Sequence, residues 1–292
     1  MRLLPVPAKL PAVVVALLLA SSVPCHLMAQ TPANHLYDKF QFGVSGASVI
    51  LGTTIKIDNA NGTAGTEIDF NTIGISKNAF SPTFSVAWRP GRRHQLALSY
   101  LYINRTGSKT LTDDVDFGDT SFTAGVKINS KFSAPTLGLE YRFAILAKEK
   151  AQVGVQVGLG ALFFSVGIDA LAGITGGGAD TLDVGYSASK GLTGPTAALG
   201  LYGAFRAGNH WYFAVNGGAI GAKVSNITAS SWVLGADARY FFNNHWGLGG
   251  GWGYSGVKVS GDAGADGGWI KLKGSIKYNY NVFRVGVMYA LP

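Results

Sequence analysis

An all-β fold, a single antiparallel transmembrane barrel of about ten strands, is predicted by three observations in the 292-residue sequence. First, residues 153–164 alternate without a break. Val153, Val155, Val157, Leu159, Ala161 and Phe163 share one face, and Gln152, Gly154, Gln156, Gly158 and Gly160 the other. A period of two is that of a strand with unlike faces. Second, comparable segments recur to the end of the chain behind an N-terminal stretch that reads as an export signal. Third, hydrophobicity is spread by alternation. Mean hydropathy is positive, yet residues 30–292 contain no apolar run long enough for a spanning helix. Only 14% of residues are charged, against about 25% in soluble proteins. The 41 glycines, about twice the usual share, fall inside the alternating segments and not only in turns.

Residues 1–29 read as a signal peptide. Arg2 and Lys9 form a basic region, Pro11 to Ala20 an apolar one, and Leu27-Met28-Ala29 a cleavage site before Gln30. Cys25 is preceded by Pro24 where a lipobox places a small residue, which speaks against lipidation. Cleavage after Ala29 leaves a chain without cysteine, so no disulfide is expected. Residues 30–38 form a short periplasmic lead-in, and residues 39–292 the barrel. Its strands are expected at 39–57, 79–90, 93–107, 125–146, 151–169, 192–207, 211–224, 231–242, 246–260 and 269–291.

The connections justify that order. Four are short turns flanked by basic or aromatic residues: Arg89 to His94, Ala147 to Lys150, Gly208 to Trp211, and Asn243 to Trp246. Five are longer, polar or glycine-rich: Asp58–Asn78, Ser108–Ala124, Leu171–Gly191, Ser225–Ser230 and Gly261–Gly268. Short periplasmic turns alternating with longer extracellular loops are the pattern of membrane barrels. Four turns and five loops with both termini on one side require ten strands. Outward faces are legible in Phe84, Val86 and Trp88, in Leu96, Leu98, Tyr100 and Tyr102, in Trp232, Leu234, Tyr240 and Phe242, and in Trp246, Leu248, Trp252 and Tyr254. Trp211 and Trp246 fall at the level of an aromatic girdle. Two strands lose phase, near Pro135 and near Asn281–Val282, and β-bulges are expected there.

The last strand carries the most specific motif. Arg284, Gly286, Tyr289 and Leu291 follow the order polar, glycine, aromatic, hydrophobic, which resembles the insertion signal of bacterial outer-membrane proteins. Most such proteins end on Phe or Trp, whereas this chain ends Leu291-Pro292. Gly52 to Asp58, His94 to Tyr102, Arg105 to Ser108 and Phe117 to Thr120 are similar to stretches of a family of small bacterial outer-membrane β-barrel proteins. The resemblance implies a place in the Gram-negative outer membrane, contact with its lipid and lipopolysaccharide, and handling by the barrel-assembly machinery. It implies no chemistry.

The residues themselves offer little catalysis. Outer-membrane enzymes typically set a His beside a carboxylate or Ser near the outer end, because imidazole moves protons near neutral pH. Here His35 lies in the lead-in, and His94, His210 and His245 in periplasmic turns. The chain is therefore expected to be non-enzymatic, and a lipid-modifying enzyme is disfavoured. Asp113, Asp114, Asp116 and Asp119 cluster around Gly118, but their spacing is not that of an EF-hand loop. No metal or cofactor is expected. The net charge of +8, or +6 without Arg2 and Lys9, fits anionic lipopolysaccharide or an anionic solute better than nucleic acid, and fits scattered surface lysine equally well.

Alternation aims Arg142, Arg239 and Arg284 inward, with Glu140 and Asp237 two residues before the first two, while Arg89 and Arg206 share that parity near their turns. Buried charge must be paired, so these seven residues are expected to form a lumen network. Two functions follow. The first is envelope structure or surface interaction by a barrel with a largely closed lumen, as narrow barrels are filled by side chains. The alternative is a porin-like, narrow channel for a small anionic solute, with five arginines facing two acids.

Overall fold

The computed structural model describes residues 33–58, 66–117, 120–172, 184–224, 227–262 and 273–292. The segment read as a signal peptide lies outside the described residues, and so does Asp119. Fifteen strands follow one another: β1 (Phe40–Ile57), β2 (Glu67–Asp69), β3 (Asn78–Gly91), β4 (His94–Leu101), β5 (Asn104–Thr110), β6 (Val115–Phe117), β7 (Thr120–Phe122), β8 (Lys127–Ser133), β9 (Thr136–Lys148), β10 (Ala151–Ala172), β11 (Val184–Ala207), β12 (Trp211–Val224), β13 (Ile227–Phe241), β14 (Trp246–Asp262) and β15 (Lys273–Leu291).

Ten of these close an antiparallel ring in the order β1, β3, β4, β9, β10, β11, β12, β13, β14, β15 and back to β1. Closure matters because lipid cannot satisfy the hydrogen-bonding groups of an open sheet edge. Alternation then gives each strand its two faces. Val44, Phe84, Leu139, Leu159, Leu201, Leu234, Leu248 and Val285 are exposed on the outside, forming the apolar belt that a bilayer requires. Most ring strands match the expected ones, since the period-two signal is strongest where one face is uniformly apolar, but β11 begins at Val184 where 192 was expected and β13 at Ile227 where 231 was expected.

The departures are physical. The expected strand 93–107 is β4 followed by β5, and 125–146 is β8 followed by β9. In both cases the register runs on across the gap: Ser165 faces Ser133 and Leu162 faces Thr136, while Leu101 faces Thr136 and Asn104 faces Ser133. The bulge expected near Pro135 is therefore absent. Proline removes a donor without shifting the ladder, and the Pro135 carbonyl still accepts from Phe163 N at 3.0 Å. The register shift lies instead between Val153 and Gly154, opposite Leu146 and Ala144. The bulge expected near Asn281–Val282 is also absent, because β15 keeps one register with β1 and β14 from end to end. Asn281 stays on the outer face, where Trp252 Nε1 donates to its Oδ1 at 3.3 Å.

The lumen is filled from both ends. At the long-loop end, the chain between β2 and β3 folds inward, burying Phe70, Ile73 and Ile75. Phe70 meets Phe132 of β8 at 4.4 Å, Phe132 meets Phe164 of β10 at 5.3 Å, and Phe164 lies 6.2 Å from Tyr278 of β15. The inward-folded chain and three strands thus converge on one aromatic plug. Gly74 takes φ +78° and presses against Gly107 of β5, where a Cβ would overlap the Gly74 carbonyl. Only glycine permits that approach at both positions. Arg105, buried, donates to the carbonyls of Ser76 and Val49 and so ties the plug to β1.

At the short-turn end, residues 33–38 pack across the mouth as a cork. They were expected as a lead-in, and nothing in their length suggested burial. His35, Leu36 and Asp38 are all buried. The His35 ring stacks on Phe241 at 3.6 Å and meets Tyr212 edge-on at 5.4 Å. Gln152 donates to the Leu36 carbonyl at 2.8 Å, Gln41 to that of His35 at 2.9 Å, and the Tyr37 hydroxyl to that of Lys148 at 2.6 Å.

Candidate functional site

Between cork and plug the inward positions of the wall build a layered interior. The lowest layer carries charge. Arg142 Nε donates to Glu140 Oε1 at 2.5 Å, and its guanidinium lies 5.1 Å from the centre of the Tyr202 ring. Arg284 Nη2 donates to Asp237 Oδ1 at 2.5 Å, and Arg239 Nη1 to Gln41 Oε1 at 3.1 Å. Arg89 lies 5.8 Å from the centre of the Tyr37 ring, with Nε and Nη1 buried and without hydrogen-bond partners among the described residues. The remaining space among Gln95, Gln152, Tyr202, Arg89, Arg142 and Arg239 is about 30 Å³, room for two or so waters.

Six of the seven residues expected in the network therefore face this layer. Arg206 does not, and that assignment is corrected. Its Nε donates to Gly208 O at 2.9 Å and its Nη2 to Asn209 Oδ1 at 3.0 Å, so it closes the β11–β12 turn. Its parity was inward, but one residue from a strand end the long side chain follows the turn and not the face. Asp38 enters in its place, accepting from Gln41 at 2.9 Å and lying 2.9 Å from His35 Nδ1. Four arginines now face three acids, where five against two were expected, and most of the positive excess disappears.

Above the charged layer is a cavity of about 170 Å³. Hydroxyls of Ser99, Thr136, Thr196, Ser231 and Ser255 line it beside Val233, Val257 and Tyr280, and the aromatic plug roofs it through Tyr278. This site was not legible as one, because small alternating residues carry no motif.

The histidines serve backbone and packing. His94 Nδ1 lies 2.7 Å from the Tyr141 hydroxyl, His210 Nδ1 2.7 Å from Phe241 O, and His245 Nδ1 3.0 Å from Ala290 O. His35 does meet a carboxylate, in a buried pair that sequence spacing (i, i+3 outside any element) left unremarked. The His35 ring lies against Phe241 and Tyr212, and Asp38 accepts from Gln41. In the acidic loop, Asp114 accepts from Ala124 N at 2.8 Å and Asp113 from Thr112 at 3.0 Å. Among the described residues no group of His, Cys, Asp or Glu is arranged to hold a metal.

The residues of the last-strand motif sit where the ring closes. Arg284 and Gly286 face inward, and a Cβ at Gly286 would overlap the Val44 carbonyl of β1. Tyr289 faces outward, edge-on to Trp246 at 4.9 Å and paired with Phe42, while Leu291 pairs with Phe40. Tyr289→Asp with Leu291→Asp is expected to abolish membrane assembly. Heat-modifiable gel mobility of the outer-membrane fraction checks this, and normal insertion would remove any role for the motif.

The profile of the outer membrane protein β-barrel domain matches residues 94–290. The outer membrane protease OmpT from Escherichia coli is similar in structure over 87% of this chain and 97% of its own, with TM-score 0.54 and 12% identity. OprG from Pseudomonas aeruginosa aligns over 87% of this chain and 96% of its own, with TM-score 0.31 and 13% identity. The likeness to OmpT is one of fold. No curated protein matches the chain.

Proposed function

Because this chain belongs to the outer-membrane β-barrel domain family, we propose that it is a non-enzymatic integral barrel with an axially blocked lumen, serving envelope structure or surface interaction through its long-loop, extracellular end. The observation that carries this reading is the double filling: the cork of residues 33–38 at one mouth and the Phe70–Phe132–Phe164–Tyr278 plug at the other. A pore that conducts needs a continuous wet path. Here apolar side chains and the chain's own backbone occupy both ends. The His35–Asp38 pair is read as structural, since both residues are buried, the His35 ring stacks on Phe241 and Asp38 accepts from Gln41.

Lipid and lipopolysaccharide contact the exposed belt, and the barrel-assembly machinery reads the last strand. A channel for a small anionic solute keeps one observation in its favour, the unpartnered Arg89 nitrogens facing the lowest layer. Single-channel conductance of the refolded protein in a planar bilayer under a salt gradient separates the two. A silent bilayer is expected. Steady anion-selective steps, lost when Arg142 and Arg239 are neutralised, would replace the blocked barrel by a pore.

A further inference from the structure

The wall is not laced along its full height. β11 pairs with β10 up to Val184, opposite Ala172. Its ladder with β12 stops much lower, at Leu199 opposite Ala219. Above that level β12 pairs with β13 alone among the described residues, as far as Val224 opposite Ile227. The two strands part just above a glycine pair. Gly200 faces Gly218, and a Cβ on Gly200 would overlap the Gly217 carbonyl. Immediately above, the Ala197 carbonyl accepts from the Ser231 hydroxyl of β13 in place of a β12 amide. Ile220 falls on the inner face by alternation, as Tyr212 and Ala214 do, yet it is 43% exposed.

This seam stands beside the 170 Å³ cavity, whose lining on that side is Thr196, Ala198, Ser231 and Trp232. It also stands beside the apolar belt. The β10 partner of Ala197 is Leu159, 57% exposed on the outside, and Phe163, two outward positions further along β10, is exposed as well. The cavity's chemistry is neutral. The charged side chain in its lining, Glu140, is bound to Arg142. Hydroxyls dominate, and the buried Tyr278 hydroxyl has no hydrogen-bond partner among the described residues. A buried polar group without a partner is costly, and a ligand oxygen would satisfy it. The volume is close to that of a dry cavity of about 150 Å³ that holds benzene.

We propose that this cavity binds a small uncharged amphiphile, about the size of a medium-chain alcohol, that enters sideways from the outer leaflet through the β11–β12 seam and accepts a hydrogen bond from Tyr278. The proposal rests on the axial seals argued above, because only a lumen closed at both ends makes the seam its route.

The full chain carrying Cys25→Ser and Ser255→Cys places one thiol on the far wall of the cavity. In phosphatidylcholine vesicles it is reacted with N-octylmaleimide or with a sulfonated maleimide present on both sides. The octyl reagent is expected to react at least about tenfold faster, since a charged reagent is excluded from an apolar path. Excess 1-octanol should slow that reaction, and Tyr278→Phe should raise the octanol needed about fivefold, the worth of one neutral hydrogen bond. Equal reaction with the sulfonated reagent would show a water path and overturn both the seals and the portal. No reaction with either reagent, in a folded barrel, would overturn the portal and leave the seals standing. Octanol protection unchanged by Tyr278→Phe would remove the assigned contact. Thr196→Cys, on the seam edge, repeats the test if Ser255→Cys does not fold.

Discussion

Glu140→Ala combined with Asp237→Ala is expected to destabilise the folded barrel by several kcal/mol in total. Each acid is the charged partner of one arginine, Arg142 and Arg284, at 2.5 Å. Arginine cannot shed its proton to escape burial, so each guanidinium is left in a narrow interior without its bonded carboxylate. Removing one member of a fully buried pair costs about 3–5 kcal/mol. The Arg142 pair is mostly buried, with side chains 18% and 26% exposed, whereas Arg284 is 39% exposed and keeps contact with solvent in the lumen. About 2–3 kcal/mol for the first and about 1 for the second is the fitting scale. Thermal unfolding in one detergent, read by loss of heat-modifiable mobility, measures the sum. Glu140→Gln with Asp237→Asn keeps an acceptor at each site and should recover part of it. A double alanine variant as stable as the parent would show that the arginines are content with water.

Phe70→Ala is expected to cost about 3–5 kcal/mol of plug stability, the usual range for deleting a fully buried aromatic ring. Phe70 is 1% exposed and is the residue through which the loop between β2 and β3 reaches Phe132 of β8. The ring of ten strands does not depend on it, so the loss should be local. Residues 66–77 should become cleavable by added protease while the barrel keeps its folded gel mobility. Conductance should stay absent in this variant, because the cork still fills the other mouth. Deleting residues 33–38 as well should open the axis. A loop that stays protected after Phe70→Ala would place its anchor elsewhere, with Arg105 and the Gly74–Gly107 contact as the remaining ties.

What the sequence made legible follows from how each feature is encoded. The ring strands are written in a period of two, and that signal survives because bilayer and lumen each demand a constant face. Register is not written in one strand. Pro135 and Asn281 both interrupt the apolar pattern, yet each keeps its place in the ladder because its neighbours supply what it lacks: an unshifted partner for the first and the Trp252 indole for the second. The plug falls in a segment expected as a polar or glycine-rich loop, although Ile68, Phe70, Ile73 and Ile75 are too apolar for a solvated one. His35, Leu36 and Tyr37 say the same of the lead-in. Arg206 shows the limit of parity, which fixes where Cβ points and leaves a long side chain free near a turn. The seam could not have been read at all, being a missing pairing between two strands of normal sequence.

The cork also sets an order of events. Its contacts come from Gln152 on β10, Tyr212 on β12 and Phe241 on β13. The strand it leads into is held by β15, with Lys39 N donating to Leu291 O at 2.8 Å. Tyr212, Phe241 and Leu291 belong to strands that follow the first strand in the chain, so the cork cannot be fully seated before those strands are in place. Residues 33–38 are thus held in place only by strands that lie far from them in the sequence. They act as a latch that can engage only after the first strand has found the final one, and their burial reports that the circle is complete.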